Sequence, residues 1–182
     1  TTNVTAYGDT ANVTINGSVD ADNGDLAPGT ISVSVPTAMN FRVNTQGKLE
    51  GSKITITNRG VEKVDVLAYE FINNTPKSDI TVKVPGSDVE FEKRSEIALW
   101  LEGKTDRAYF DTDGAGNSNR GVSSKTSGVE TSDGVLVSKI EAHNGTEELK
   151  LGGYAGTGNL NNSDKALSGE FTLKLKVKKS NS

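Results

Sequence analysis

Apolar and polar residues alternate with a period of two along most of this chain, and the helical spacing i, i+3, i+4, i+7 is nowhere sustained over a helix-length window. Successive strand residues face opposite sides of a sheet, so each alternating segment predicts a strand with one buried and one wet face. Ala11, Val13, Ile15 and Val19 alternate with Asn12, Thr14, Asn16 and Ser18, and Ile31, Val33 and Val35 alternate with Ser32 and Ser34 until Pro36 ends the run. Ile54 and Ile56 mark a strand within 52–58. The apolar run 64–72 reads as central, with Leu67, Tyr69 and Phe71 as its expected core face. Further strands are expected at 80–84, 96–101, 108–111, 134–140, 148–151 and 169–178. The last of these sets Phe171, Leu173, Leu175 and Val177 against Thr172, Lys174, Lys176 and Lys178, whose lysines read as a solvated face that discourages edge pairing.

About ten strands punctuated by Gly, Asn and Pro carry more apolar faces than one sheet can cover, which predicts an all-β fold, a β-sandwich of jelly-roll or Ig-like kind. The expected organisation is an N-terminal extension, 1–20, followed by a single sandwich domain, 21–182. Two polar stretches rich in Gly, Ser and Asn, 111–133 and 152–164, are expected to be long surface loops. With 33% hydrophobic and 5% aromatic residues, the core must be assembled from many short patches, and a large aromatic-lined cleft is not expected.

Charge and composition narrow the chemistry. A net charge of −4 offers no basic footprint for nucleic acid. No run approaches the roughly 18 apolar residues of a membrane-spanning helix. The opening residues Thr1 to Thr5 include no Met, basic cluster or apolar run, which suits an exported chain after removal of a signal peptide, or a trimmed one. The chain lacks cysteine, so thiol nucleophiles and thiolate metal sites are excluded, and its one histidine, His143, falls in the turn-like Glu141-Ala142-His143-Asn144-Gly145. A catalytic triad or zinc site would have to rest on that residue alone, and no enzyme is expected. Trp100, the single tryptophan, sits in the apolar run 97–101 and is expected in the core rather than as a platform for a sugar. Asp111, Asp113, Asn117 and Asn119 place oxygen-bearing side chains at spaced positions among glycines. That pattern suits either a flexible Asx-rich loop or a calcium site, although the closing Glu of an EF-hand is missing.

The N-terminal alternation stands apart. Ala11, Val13, Ile15, Gly17 and Val19 form one small apolar face, preceded by a polar lead and followed by the Gly- and Asp-rich link 20–29. Such a strand can be lent to a groove in a neighbouring subunit, or it can pair as an ordinary first strand within its own chain. The succession 30–41, 51–58 and 61–71 has a strand closing in Val35-Pro36, then Phe41, then Ile54-Thr55-Ile56-Thr57-Asn58, then a Val-rich strand. It resembles secreted β-sandwich proteins of Gram-positive bacteria, including WxL-like surface modules and camelysin-like matrix-fibre subunits. Trp100-Leu101-Glu102 departs from the paired Trp-x-Leu signature of the former. What the fibre resemblance implies is an extracellular or cell-surface homopolymer, a filament, pilus or biofilm-matrix fibre built by donor-strand exchange. The alternative is a monomeric cell-surface adhesin or ligand-binding β-sandwich module.

Overall fold

The computed structural model describes residues 2–4, 10–15, 33–35, 38–43, 47–73, 80–93, 95–112, 120–157 and 170–180. Their strands run β1 (Thr2–Val4), β2 (Thr10–Ile15), β3 (Val33–Val35), β4 (Ala38–Met39), β5 (Phe41–Val43), β6 (Leu49–Gly51), β7 (Lys53–Asn58), β8 (Val64–Asn73), β9 (Thr81–Val82), β10 (Glu96–Glu102), β11 (Arg107–Phe110), β12 (Val122–Ser123), β13 (Glu130–Thr131), β14 (Gly134–Ile140), β15 (Gly145–Ala155) and β16 (Phe171–Lys179). None of the described residues is helical. Every one of the expected segments contains a strand. The additional ones, β1, β4, β5, β6, β12 and β13, are two or three residues long, too short to show a period, and β12 and β13 lie inside the stretch 111–133 expected to be loop.

Two sheets form the sandwich. The first has the order β1-β3-β7-β15-β10-β11-β12 with β9 added beside β10, and the second has the order β13-β14-β8-β16-β2-β4; β5 and β6 make a separate small hairpin. Most neighbours are antiparallel, and alternation then decides which side chains meet between the sheets. Ile54 and Ile56 of β7, Ile97, Leu99 and Leu101 of β10, Leu149 and Leu151 of β15, and Phe171, Leu173, Leu175 and Val177 of β16 all enter one core cluster. Phe71 of the second sheet stacks on Phe110 of the first, with ring centroids 4.5 Å apart and planes 4° from parallel. Its other neighbour is Phe171 at 5.2 Å, which in turn lies 6.2 Å from Phe41.

Strand β8 departs from simple alternation. Against β16 the register passes from Lys174↔Glu70 to Leu175↔Ala68, so Tyr69 is an extra, unmatched residue. Against β14 the register also shifts, between Leu136 and Ser138. One extra residue reverses the facing of everything beyond it. Accordingly Val64, Val66, Ala68 and Phe71 face the core, which corrects the expectation for Leu67 and Tyr69 and leaves Phe71 on the core face where it was expected. Tyr69 is half-buried on the outer side, where Lys176 Nζ lies 3.9 Å and Arg120 Cζ 4.2 Å from its ring centre. Leu67 is buried but outside the core cluster.

A fully buried polar side chain fastens one end of the sandwich. Asn58 donates through Nδ2 to the carbonyls of Glu62 (2.8 Å) and Ile140 (3.2 Å), and its Oδ1 accepts from the Gly60 N–H (3.0 Å). Its carbonyl accepts the N–H of Asn144, and that of Gly60 accepts the N–H of His143. The β7–β8 connection is thereby tied to the β14–β15 turn, whose central residues His143 and Asn144 have φ of 59° and 70°, the signs a type I′ hairpin requires.

Phe71→Ala is expected to cost about 3–5 kcal/mol in equilibrium urea unfolding, because it removes the ring at the centre of the aromatic stack. Tyr69→Ala should cost no more than about 1–2 kcal/mol, the scale of its two cation contacts. The reverse order would mean that β8 carries no bulge. Ser138 is fully buried and its Oγ finds no partner among the described residues, so Ser138→Ala should leave stability unchanged or raise it by about 1 kcal/mol in the same measurement.

Candidate functional site

The apolar N-terminal face is carried by β2, which lies inside the second sheet. β2 runs antiparallel to β16, with Ala11 opposite Leu175, Val13 opposite Leu173 and Ile15 opposite Phe171. On its other side it meets β4 in parallel through Thr14↔Ala38 and Ile15↔Met39. Gly17 and Val19 lie outside the described residues. Of the candidate calcium ligands, Asp111 is buried just after β11 and its N–H donates to the Gly121 carbonyl at 3.0 Å, whereas Asp113, Asn117 and Asn119 lie outside the described residues. Among the described residues no three His, Cys, Asp or Glu side chains group as a metal site would need, and no helix is long and apolar enough to cross a membrane. His143 is exposed in its hairpin turn.

Trp100 is not in the core. Ile97, Leu99 and Leu101 take the inward positions of β10, so strict alternation sends the residue between the last two outward, and Trp100 lies half-buried on the outer face of the first sheet. The cross-strand neighbour of Trp100 on β15 is Gly152, and a Cβ there would stand 2.6 Å from the indole Nε1. The indole therefore packs over bare backbone. Gly153, at φ 153°, brings β15 so close to β10 that a Cβ would reach 1.9 Å from the Ala98 carbonyl oxygen.

Around Trp100 the outer face carries a row of aromatic rings. Tyr109 of β11 lies 5.7 Å from it, Tyr154 of β15 lies 6.0 Å away on the other side, and Phe91 meets Tyr154 edge-on at 5.1 Å. Arg107 stacks at 4.7 Å over the indole while bonding Glu102 at 3.1 Å, and Lys125 lies 4.8 Å over Tyr109. Beyond Glu102 the same face sinks into an open depression of about 430 Å³ between β7, β10 and β15. The row escaped the sequence reading because Ile97 to Leu101 is apolar throughout. The legible signal was parity, which puts Trp100 and Glu102 on one side, Arg107 and Tyr109 beside them, and Gly152 and Tyr154 opposite.

The segment holding Phe91 is latched to the sheet by one carboxylate. Glu96 pairs with Lys83 and accepts the N–H groups of Lys93 (2.9 Å) and Glu92 (3.2 Å). Lys83 also donates to the Glu90 carbonyl at 2.8 Å and sits 5.4 Å over the Phe91 ring. The Lys83 hydrogen bond, then that of Lys93, hold the Glu96 carboxyl below its ordinary value of 4.5. On the second sheet Lys178, with help from Lys176, likewise lowers Asp133.

No family model, curated protein or solved structure matches the chain.

Because the folded pKa of Glu96 lies below the unfolded one, its ionised form stabilises the fold, fully above about pH 4.5 and progressively less as pH falls through the lowered value. Thermal unfolding followed across a pH series should show a plateau from neutrality to about pH 5 and a decline below 4.5. Glu96→Gln should lower the plateau and shrink the decline. An unchanged acid limb in that variant would remove Glu96 from the account.

Proposed function

We propose that the chain is a structural subunit of an extracellular filament or matrix fibre, and that subunits join by exchanging β2. The observation that carries this reading is the place of β2 in the second sheet. It is inserted between β16 and β4, six of its residues pair with β16, and the chain then crosses through residues 16–32 to β3 in the first sheet. A strand held by main-chain pairing in a slot of its own sheet makes the same bonds in the slot of a second copy, so exchange gains and loses the same contacts. Seventeen linking residues, 16–32, can reach at most roughly 55–60 Å when extended, several times the ~10 Å between packed sheets. When each copy lends its strand to the next without closing a ring, the product is an open fibre. The alternative, a monomeric surface adhesin, draws on the aromatic row, which suits a binding face whether or not the chain polymerises.

Absence of cysteine makes the test clean. Thr14 of β2 stands directly opposite Thr172 of β16, at a separation that a disulfide can bridge. Thr14→Cys combined with Thr172→Cys, oxidised after concentration under assembly conditions, should give a ladder of covalent oligomers on a non-reducing denaturing gel. The same variant oxidised while dilute should lock β2 at home and form no fibres in negative stain. Only cross-linked monomer at every concentration would reject strand exchange.

A further inference from the structure

The outer face of the first sheet combines two features. One is the row Phe91, Tyr154, Trp100 and Tyr109, with consecutive ring centroids 5.1–6.0 Å apart and Tyr154 40% exposed. The other is the depression that begins where Glu102 meets Arg107 and is walled by β7, β10 and β15. They are continuous. Glu102 lies two residues beyond Trp100 on the same side of β10, and its cross-strand partner Lys150 lies two residues before Gly152 on β15. The charged lining of the depression is balanced, with Lys53, Lys104 and Lys150 facing Glu102, Glu147 and Glu148. Along the row the pattern continues, since Lys83 is paired with Glu96 and Arg107 with Glu102.

We infer that this face binds a neutral glycan chain, its sugar rings against the aromatic row and its hydroxyls in the depression. The chemistry selects this occupant over others. A sugar ring has an apolar face of C–H groups that settles on aromatic carbon and a rim of hydroxyls that both donate and accept. Lysine only donates and carboxylate only accepts, so a lining with three of each satisfies a hydroxyl rim in both senses. A polyanion would bring its charge against Glu102, Glu147 and Glu148. An apolar peptide would strip water from six charged groups and set its apolar side chains against them. The ring spacing matches the length of one pyranose unit, which suits an extended chain better than a single sugar. The inference does not rest on polymerisation, and it holds for a fibre or a monomer.

Trp100 is the only indole in the chain, so its fluorescence reports on this face alone. The full chain should be titrated with the neutral hexasaccharides of glucose, N-acetylglucosamine, mannose and xylose to about 10 mM, which covers affinities down to the millimolar range. At least one should give a saturable blue shift of Trp100 emission as the indole loses water. Tyr154→Ala should weaken that binding by about tenfold, or 1.4 kcal/mol. Lys104→Ala, at a side chain 78% exposed and so harmless to folding, should weaken it measurably. Lys174→Ala, on the outer face of the second sheet and so on the opposite side of the sandwich, should leave it unchanged. Silence with all four sugars, binding indifferent to both Tyr154→Ala and Lys104→Ala, or a response only to a polyanion such as polygalacturonate would each overturn the inference.

Discussion

Two twisted sheets must be held face to face in a chain with few large apolar residues, and the stack of Phe110, Phe71 and Phe171 does so. Aromatic rings bury more area than any aliphatic side chain, and in offset-parallel contact they add attraction beyond that area. Three rings from β11, β8 and β16, with Phe41 beyond them, therefore span the gap between the sheets. The small residues elsewhere, Ala68, Ala108 and the valines of β8, β14 and β16, only need to fill the space around them. The stack depends in turn on Tyr69. In a regular strand without the bulge there, Phe71 and Val66, five residues apart, would face opposite sides of β8, and one of them would leave the core. The bulge aims the Phe71 ring inward, keeps Val64, Val66 and Ala68 inward as well, and leaves Tyr69 outside among Lys176 and Arg120.

The outer aromatic row has the opposite origin. On the first sheet the inward positions of β7, β10 and β15 are aliphatic, and apart from Phe110 the rings stand where alternation turns them out, above backbone cleared by Gly152 and narrowed by Gly153. Cross-strand aromatic cover over a glycine restores packing that the missing side chain forfeits, so the row has a stabilising part to play in the sheet itself. That part uses one face or edge of each ring. Arg107, Lys125 and Lys83 lie over Trp100, Tyr109 and Phe91, so Tyr154 is the ring most open to a ligand and the other three offer the parts those cations leave half-exposed.

Period-two alternation placed β7 and β16 and named the inward residues of β16 individually, because each of these strands has one wet face. It failed where both faces are covered. In β8 the run from Val64 to Ala68 is buried without a break, so the sequence holds no phase from which the bulge could be read. In β10 the half-cover of Trp100 by Arg107, Tyr109 and Tyr154 made an outward residue look like a core one. The two-residue strands β12, paired with β11, and β13, in a tight hairpin with β14, are too short to carry a pattern of their own. For the calcium reading, only Asp111 of its four residues falls among those described.

The exchange strand and the aromatic face belong to different sheets, and that separation has a physical consequence. β2 enters the second sheet beside β16, and any copy whose strand takes its place makes contact along that sheet. Trp100, Tyr109 and Tyr154 point away from the core on the far side of the first sheet, about the thickness of the sandwich away. In the proposed fibre, joining subunits through β2 would leave each aromatic row uncovered, and successive rows would repeat along it. A glycan chain long enough to reach two rows would bind the second at the effective concentration set by the first, so modest affinity at each face becomes strong attachment only after assembly. On this arrangement polymerisation and adhesion cooperate without sharing a residue. In the proposed fibre the strand that joins copies would also fix the distance between their aromatic faces.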